Sequence, residues 1–183
     1  MRMILLAMAL IVLHSPAWGQ ETAALTADNN QPLEITADQT LEWHRSKNQL
    51  IARGKAVAKQ GYTVVRGDTL IADYRETDSS AFEIYLLTAK GDVSIETPGN
   101  IARGAQATYD IDTGVAVMTG NNLTLIAPEQ TVTADSKFEY YVNQGLLTAE
   151  GNALVKRGAD SLRADRLSAF FEKDSAGKNS LSR

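Results

Sequence analysis

Leu87-Thr88-Ala89-Lys90-Gly91-Asp92-Val93-Ser94-Ile95-Glu96 decides the fold. Leu87, Ala89, Gly91, Val93 and Ile95 fall on one face of an extended segment. Thr88, Lys90, Asp92, Ser94 and Glu96 fall on the other. Such apolar–polar alternation marks a strand buried on one side, as in an antiparallel sheet with one solvated face. The same phrase returns along the chain. Leu50-Ile51-Ala52-Arg53-Gly54 and Leu147-Thr148-Ala149-Glu150-Gly151 repeat its first half, and Ala116-Val117-Met118-Thr119-Gly120 is a variant with Met for Ala. The four glycines are separated by 37, 29 and 31 residues. A period near 30 means one supersecondary unit stacked on copies of itself, since a single unit cannot bury its own apolar face.

Each repeat has its glycine near the middle of the strand, read as lying on the inward face. Glycine weakens a strand interior unless a bend or a close approach requires it. Four of them in register predict a column of bends and so a curved sheet. The third copy slips by one residue, with Leu123 and Leu125 taking the apolar phase after Asn121-Asn122, and a bulge is expected there. Turn signals at Gln60-Gly61, Pro98-Gly99-Asn100, Asp112-Thr113-Gly114 and Asn143-Gln144-Gly145 fit hairpin connections. No sustained helical stripe is present. The prediction is an all-β domain of about 12–16 short strands.

Met3 to Leu13 is an apolar run too short to span a bilayer, and Ala17-Trp18-Gly19 offers small residues before Gln20. Residues 1–19 are therefore expected to be a signal peptide, 20–32 a flexible leader, 33–171 the domain and 172–183 a polar tail. After cleavage, 17 basic side chains face 22 acidic ones, a balance that argues against a nucleic-acid partner. There are no cysteines. A second reading of the tail is that the array stops where a further strand is due, which leaves an open edge free to pair.

Catalytic readings are thin. His44 is the one histidine after cleavage and reads as a partly exposed strand residue. With no cysteine, a zinc site is not expected. Asp112-Thr113-Gly114 spells the aspartic-peptidase tripeptide, but that chemistry needs two such aspartates sharing a proton, and Asp-x-Gly is ordinary turn usage. The repeated Ala-Asp pairs at 37–38, 72–73, 134–135 and 164–165 are read as strand-start or turn residues. Neither an enzyme nor a cofactor is expected.

Several phrases in order carry a family resemblance. They are Ile35-Thr36-Ala37-Asp38, Ala52-Arg53-Gly54-Lys55-Ala56-Val57, Leu70-Ile71-Ala72-Asp73-Tyr74, Gly104-Ala105-Gln106-Ala107-Thr108-Tyr109-Asp110 and Met118-Thr119-Gly120-Asn121. Together they resemble the OstA-like family of LptA lipopolysaccharide-transport proteins over nearly all of residues 33–171. The resemblance implies an antiparallel β-jellyroll of stacked repeats in the periplasm, with an interior groove for the acyl chains of lipopolysaccharide. It implies head-to-tail self-association and a bridge between an inner-membrane Lpt transporter and an outer-membrane Lpt translocon, for outer-membrane assembly. By motif position it makes Leu33, Ile35, Val93, Ile95 and Tyr109 the lipid-binding groove candidates. Because the chain is acidic and the lipid carries phosphates, acyl burial is expected to carry affinity, with local bases such as Arg75 at the groove mouth. The alternative is a periplasmic scaffold with a filled core, joined to partners by its edge strands.

Overall fold

The computed structural model describes residues 25–26, 31–78, 80–173 and 179–181, with side chains over 31–78 and 82–170; the expected signal peptide lies outside these. Fourteen strands are present among the described residues. They are β1 (Leu25–Thr26), β2 (Pro32–Thr36), β3 (Thr40–His44), β4 (Gln49–Gln60), β5 (Thr63–Thr77), β6 (Ser80–Thr97), β7 (Asn100–Asp110) and β8 (Val115–Thr119). Then follow β9 (Leu123–Ala127), β10 (Gln130–Ala134), β11 (Lys137–Tyr141), β12 (Leu146–Arg157), β13 (Asp160–Lys173) and β14 (Asn179–Leu181). A single 3₁₀ turn at Arg45–Lys47 joins β3 to β4. All pairings are antiparallel.

The strands are not all short. β4, β5, β6, β7, β12 and β13 run through a corner and belong to two half-sheets at once. On one side of the corner the order is β2-β4-β5-β6-β7-β9-β10-β12-β13. On the other it is β3-β4-β5-β6-β7-β8-β11-β12-β13. Because β7 pairs both β8 and β9, and β12 pairs both β10 and β11, six strands close into a ring at mid-array.

The glycine column is the corner, but on alternate strands. Gly54-Lys55, Gly91-Asp92 and Gly151-Asn152 each adopt two successive positive φ angles (82° and 45°, 76° and 41°, 86° and 49°). Glycine takes the first without penalty. These glycines do not face inward as expected. A Cβ on them would collide with Gln39, Asp68 and Ser136, exposed residues at the neighbouring strand's corner.

The corner also sets the phase. Ala52 and Ala56 on β4 pair with Leu70 and Gly67 on β5, so four steps oppose three. The same count recurs for Ala89 and Val93 against Ala107 and Gly104, and for Ala149 and Ala153 against Leu167 and Ala164. Strands with the glycine corner keep their alternation; β5, β7 and β13 switch it. Between β8 and β9 the predicted slip is a break in the strand, with Gly120 (φ 140°) and Asn122 (φ 59°) turning the chain from one half-sheet to the other. The Ala-Asp pairs are not equivalent. Asp38 and Asp135 donate their backbone N–H to the corner carbonyls of Gly54 and Gly151 (2.8 and 2.7 Å), whereas Ala72-Asp73 lies within β5.

One apolar cluster fills the space between the half-sheets, from Leu33, Ala56 and Val93 to Met118, Leu123, Phe138 and Ala153. No buried side-chain polar atom among the described residues lacks a partner. At the chain's ends, the leader contributes β1, which pairs with Pro32 and Leu33 of β2, and the expected tail contributes the last residues of β13 and the short β14.

Candidate functional site

The interior is built from rungs of cross-strand pairs. In the first half-sheet one rung runs Ile35, Ala58, Val65, Ile95, Ala102, Leu125, Val132, Val155, Leu162. In the second, one rung runs Trp43, Leu50, Ala72, Leu87, Tyr109, Ala116, Tyr140, Leu147, Ala169. Directly opposed residues share a face, so each rung is a continuous apolar strip across the sheet.

All five groove candidates lie on these interior faces. Leu33 is buried, and Ile35 and Ile95 are half-buried on its cluster's margin. Val93 is only 1 % exposed, packed in the core. Tyr109 sits across the corner from the others, half-buried, and its phenol is pushed up from its ordinary pKa by burial and then by the Asp110 carboxylate. The interior is closed at the ring, where Leu123 and Ala153 are fully buried.

It opens at the C-terminal end. A cleft of about 390 Å³ lies among β10, β12 and β13, lined by Val132, Leu147, Ala149, Val155, Leu162 and Leu167, with Gln130, Ser168, Ala169 and Phe170 completing it. That size falls in the usual range for small-molecule sites. None of the five candidates lines it. The signal was present in the sequence as the apolar residues Leu162, Leu167 and Phe170 of β13, but the phase switch at the corner hides it. Among the described residues β13 pairs only with β12 between Asp160 and Phe170, so its outer edge is free there. Leu162 is 66 % exposed and Phe170 58 %.

The N-terminal end is also apolar at the rim. Leu41 is 65 % exposed and Trp43 55 %, both on β3, which pairs only with β4. Behind them three aromatic rings meet. The Trp43 indole N–H donates to the Tyr74 hydroxyl (2.8 Å), and Tyr74 stacks on Phe82 with centroids 4.1 Å apart. The Arg45 guanidinium lies over the Trp43 ring, 4.6 Å from its centroid.

The polar candidates are structural. Arg75 donates to both oxygens of Asp112 (2.7 and 2.9 Å) and also binds Glu83, so this base is committed to carboxylates. Asp112 is held below its usual carboxylate range by the Arg75 hydrogen bonds. The Asp112-Thr113-Gly114 tripeptide is a turn: Thr113 N–H donates to the Asp110 carboxylate (2.9 Å) and Gly114 N–H to the Asp110 carbonyl (3.0 Å). His44 Nε2 lies 2.6 Å from Glu42 Oε2 at the end of β3. Among the described residues no cluster of His, Cys, Asp or Glu is arranged to hold a metal ion, and no helix is long and apolar enough to cross a membrane.

These features define a class: an antiparallel β-roll with an apolar interior that opens in a cleft beside β13, and with apolar side chains exposed on the edge strands β3 and β13. The family model described as "LptA/(LptD N-terminal domain) LPS transport protein" matches residues 34–145, more than half of the chain. The chain belongs to that family of lipopolysaccharide-transport proteins, and so to a transport family and not to an enzyme family. A search of curated proteins finds no match. Among solved structures the chain is similar to LptH of Pseudomonas aeruginosa, described as the LptA-homologous periplasmic component of the conserved lipopolysaccharide transport device. That match has a TM-score of 0.58 at 20 % identity and covers 68 % of this chain and 85 % of LptH. It places the fold with the LptA-like all-β architecture that the sequence predicts.

Proposed function

We propose that this protein carries lipopolysaccharide across the periplasm by holding its acyl chains in the apolar interior. It works as one link of a head-to-tail bridge between an inner-membrane Lpt transporter and an outer-membrane Lpt translocon. The observation that carries this reading is the C-terminal cleft, apolar along most of its lining and bounded by the free edge of β13. Each acyl CH₂ removed from water is worth about 0.8 kcal/mol, so a short length of chain supplies ample affinity. Exposed Leu41 and Trp43 at one end and Leu162 at the other let the apolar strip continue from one copy to the next when β13 adds to β3. Leu33, Ile35, Val93, Ile95 and Tyr109 remain the interior wall along which chains pass, with Val93 the least accessible of them.

The tightly closed ring around Leu123 and Ala153 favours a second reading, a scaffold that joins partners by strand pairing and holds no lipid. Photo-crosslinking in cells separates the two. Probes at Ile95, Tyr109, Leu162 and Leu167, with Arg163 and Arg166 on the opposite face as controls, are blotted for lipopolysaccharide. Adducts at the inward positions and none at the controls are expected. Export of a folded protein with no adduct at any inward position leaves the scaffold standing.

A further inference from the structure

The acidic balance of the chain raises the question of where a phosphorylated ligand meets a cation. Arg75 does not supply it, because Asp112 and Glu83 occupy its guanidinium. Arg53, Arg66, Arg157 and Arg166 are likewise paired with carboxylates, as is Lys137. Lys55, Lys59, Lys90, Arg103, Lys156 and Arg163 are exposed without an ion pair among the described residues, but Arg45 and Lys47 differ in standing beside the exposed aromatic Trp43 at the end of β3. Both are exposed in the 3₁₀ turn after β3, and among the described residues neither lies within ion-pair distance of a carboxylate. Arg45 is instead laid over Trp43, whose ring forms the rim of the apolar interior.

We infer that Trp43, Arg45 and Lys47 form a subsite for the phosphorylated saccharide head of an amphiphile whose acyl chains enter the interior beside them. The chemistry is complementary at each point. The part of the exposed indole that Arg45 does not cover offers an apolar surface for a sugar ring. A guanidinium and an ammonium offer charge-assisted hydrogen bonds to phosphate oxygens. The indole is fixed by its bond to the buried Tyr74, so the platform is preorganised and Arg45 is parked beside it. This assignment rests on the transport reading and deepens it, placing the polar head at the β3 rim.

The test uses the exported protein, with Trp18→Phe wherever residues 1–19 are retained, so that Trp43 is the sole tryptophan. Its emission is followed on titration with purified lipopolysaccharide, with the same lipid dephosphorylated but fully acylated, and with inorganic phosphate. The Arg45→Gln/Lys47→Gln double variant is expected to bind intact lipopolysaccharide about tenfold more weakly, with the deficit shrinking in high salt. It should bind dephosphorylated lipid as the parent does, and Arg45→Lys should restore most of the loss. Equal affinity of parent and double variant for intact lipid overturns the subsite while leaving transport in place. Saturation by inorganic phosphate with no preference for the lipid makes it a free-phosphate site and overturns the headgroup assignment. Failure of the parent to bind either lipid overturns the transport reading and the subsite with it.

Discussion

Arg75 and Asp112 are joined by two parallel hydrogen bonds, from Nη1 to Oδ2 (2.7 Å) and from Nη2 to Oδ1 (2.9 Å), across 37 residues of sequence. The pair ties the end of β5 to the turn between β7 and β8. Asp112→Asn removes the charge and one acceptor. We expect a small fall in the thermal midpoint at low salt that shrinks at high salt, as for an exposed pair. Lipopolysaccharide traffic in cells should be unchanged. A variant that folds but fails to support traffic contradicts the structural role given to Asp112.

Gly151 tests the corner. Its φ of 86° costs an L-residue about 1–2 kcal/mol. An added Cβ would also collide with Ser136, lying 3.0 Å from its backbone nitrogen. Gly151→Ala should therefore lower stability in urea by at least that amount, and Ser136→Gly in the same chain should recover only part of it. Full recovery would mean that the backbone conformation carries no cost.

Leu123 and Leu162 separate core from groove. Leu123 is fully buried and Leu162 is 66 % exposed. Leu123→Ala should cost about 2–5 kcal/mol of unfolding free energy. Leu162→Ala should leave stability within about 0.5 kcal/mol, since surface positions tolerate change. It should nonetheless weaken lipopolysaccharide binding. If Leu162→Ala binds lipid as well as the parent, the C-terminal cleft is not the site.

Glu42 sets an acid limit. Hydrogen bonds from His44 and Arg53 hold its carboxyl down at about 2, against an ordinary value of 4.5. A lowered folded pKa means that the unfolded chain takes up the proton first, so stability falls as pH falls. The Glu42 contribution is fully present above pH 4.5 and is lost between there and about 2. Urea unfolding of the parent and Glu42→Gln should differ above that window and converge towards its lower end. A difference that persists unchanged at the bottom of the window contradicts the assignment.

Much of this is legible in the sequence. The alternation of Leu87, Ala89, Val93 and Ile95 against Thr88, Lys90 and Ser94 is what β6 displays, because a half-buried strand can present only one face to the core. The slip after Asn121-Asn122 is a real change of phase, and the glycine column is a real corner. What alternation could not reveal is the flip within β5, β7 and β13. Those strands lack the Leu-x-Ala-x-Gly phrase, although β5 and β7 place Gly67 and Gly104 at the corner, and the flip arises from three steps opposing four on the preceding strand of the same hairpin, a register that only the pairing reveals. For that reason Leu162 and Leu167, both inward, stand five residues apart and read as opposite faces.

The sequence by itself determined the strand type, the repeat, the corners and the family, since each is written in local spacing and in the backbone freedom of glycine. Only the tertiary structure decided where the interior is closed and where it opens. Ring closure depends on β7 reaching both β8 and β9, a pairing between residues that no local pattern links. It also decided which bases are free. Whether Arg75 or Arg45 can meet a phosphate depends on the carboxylate that folding brings beside it: folding brings Asp112 to Arg75 across 37 residues, whereas among the described residues it brings no carboxylate to Arg45.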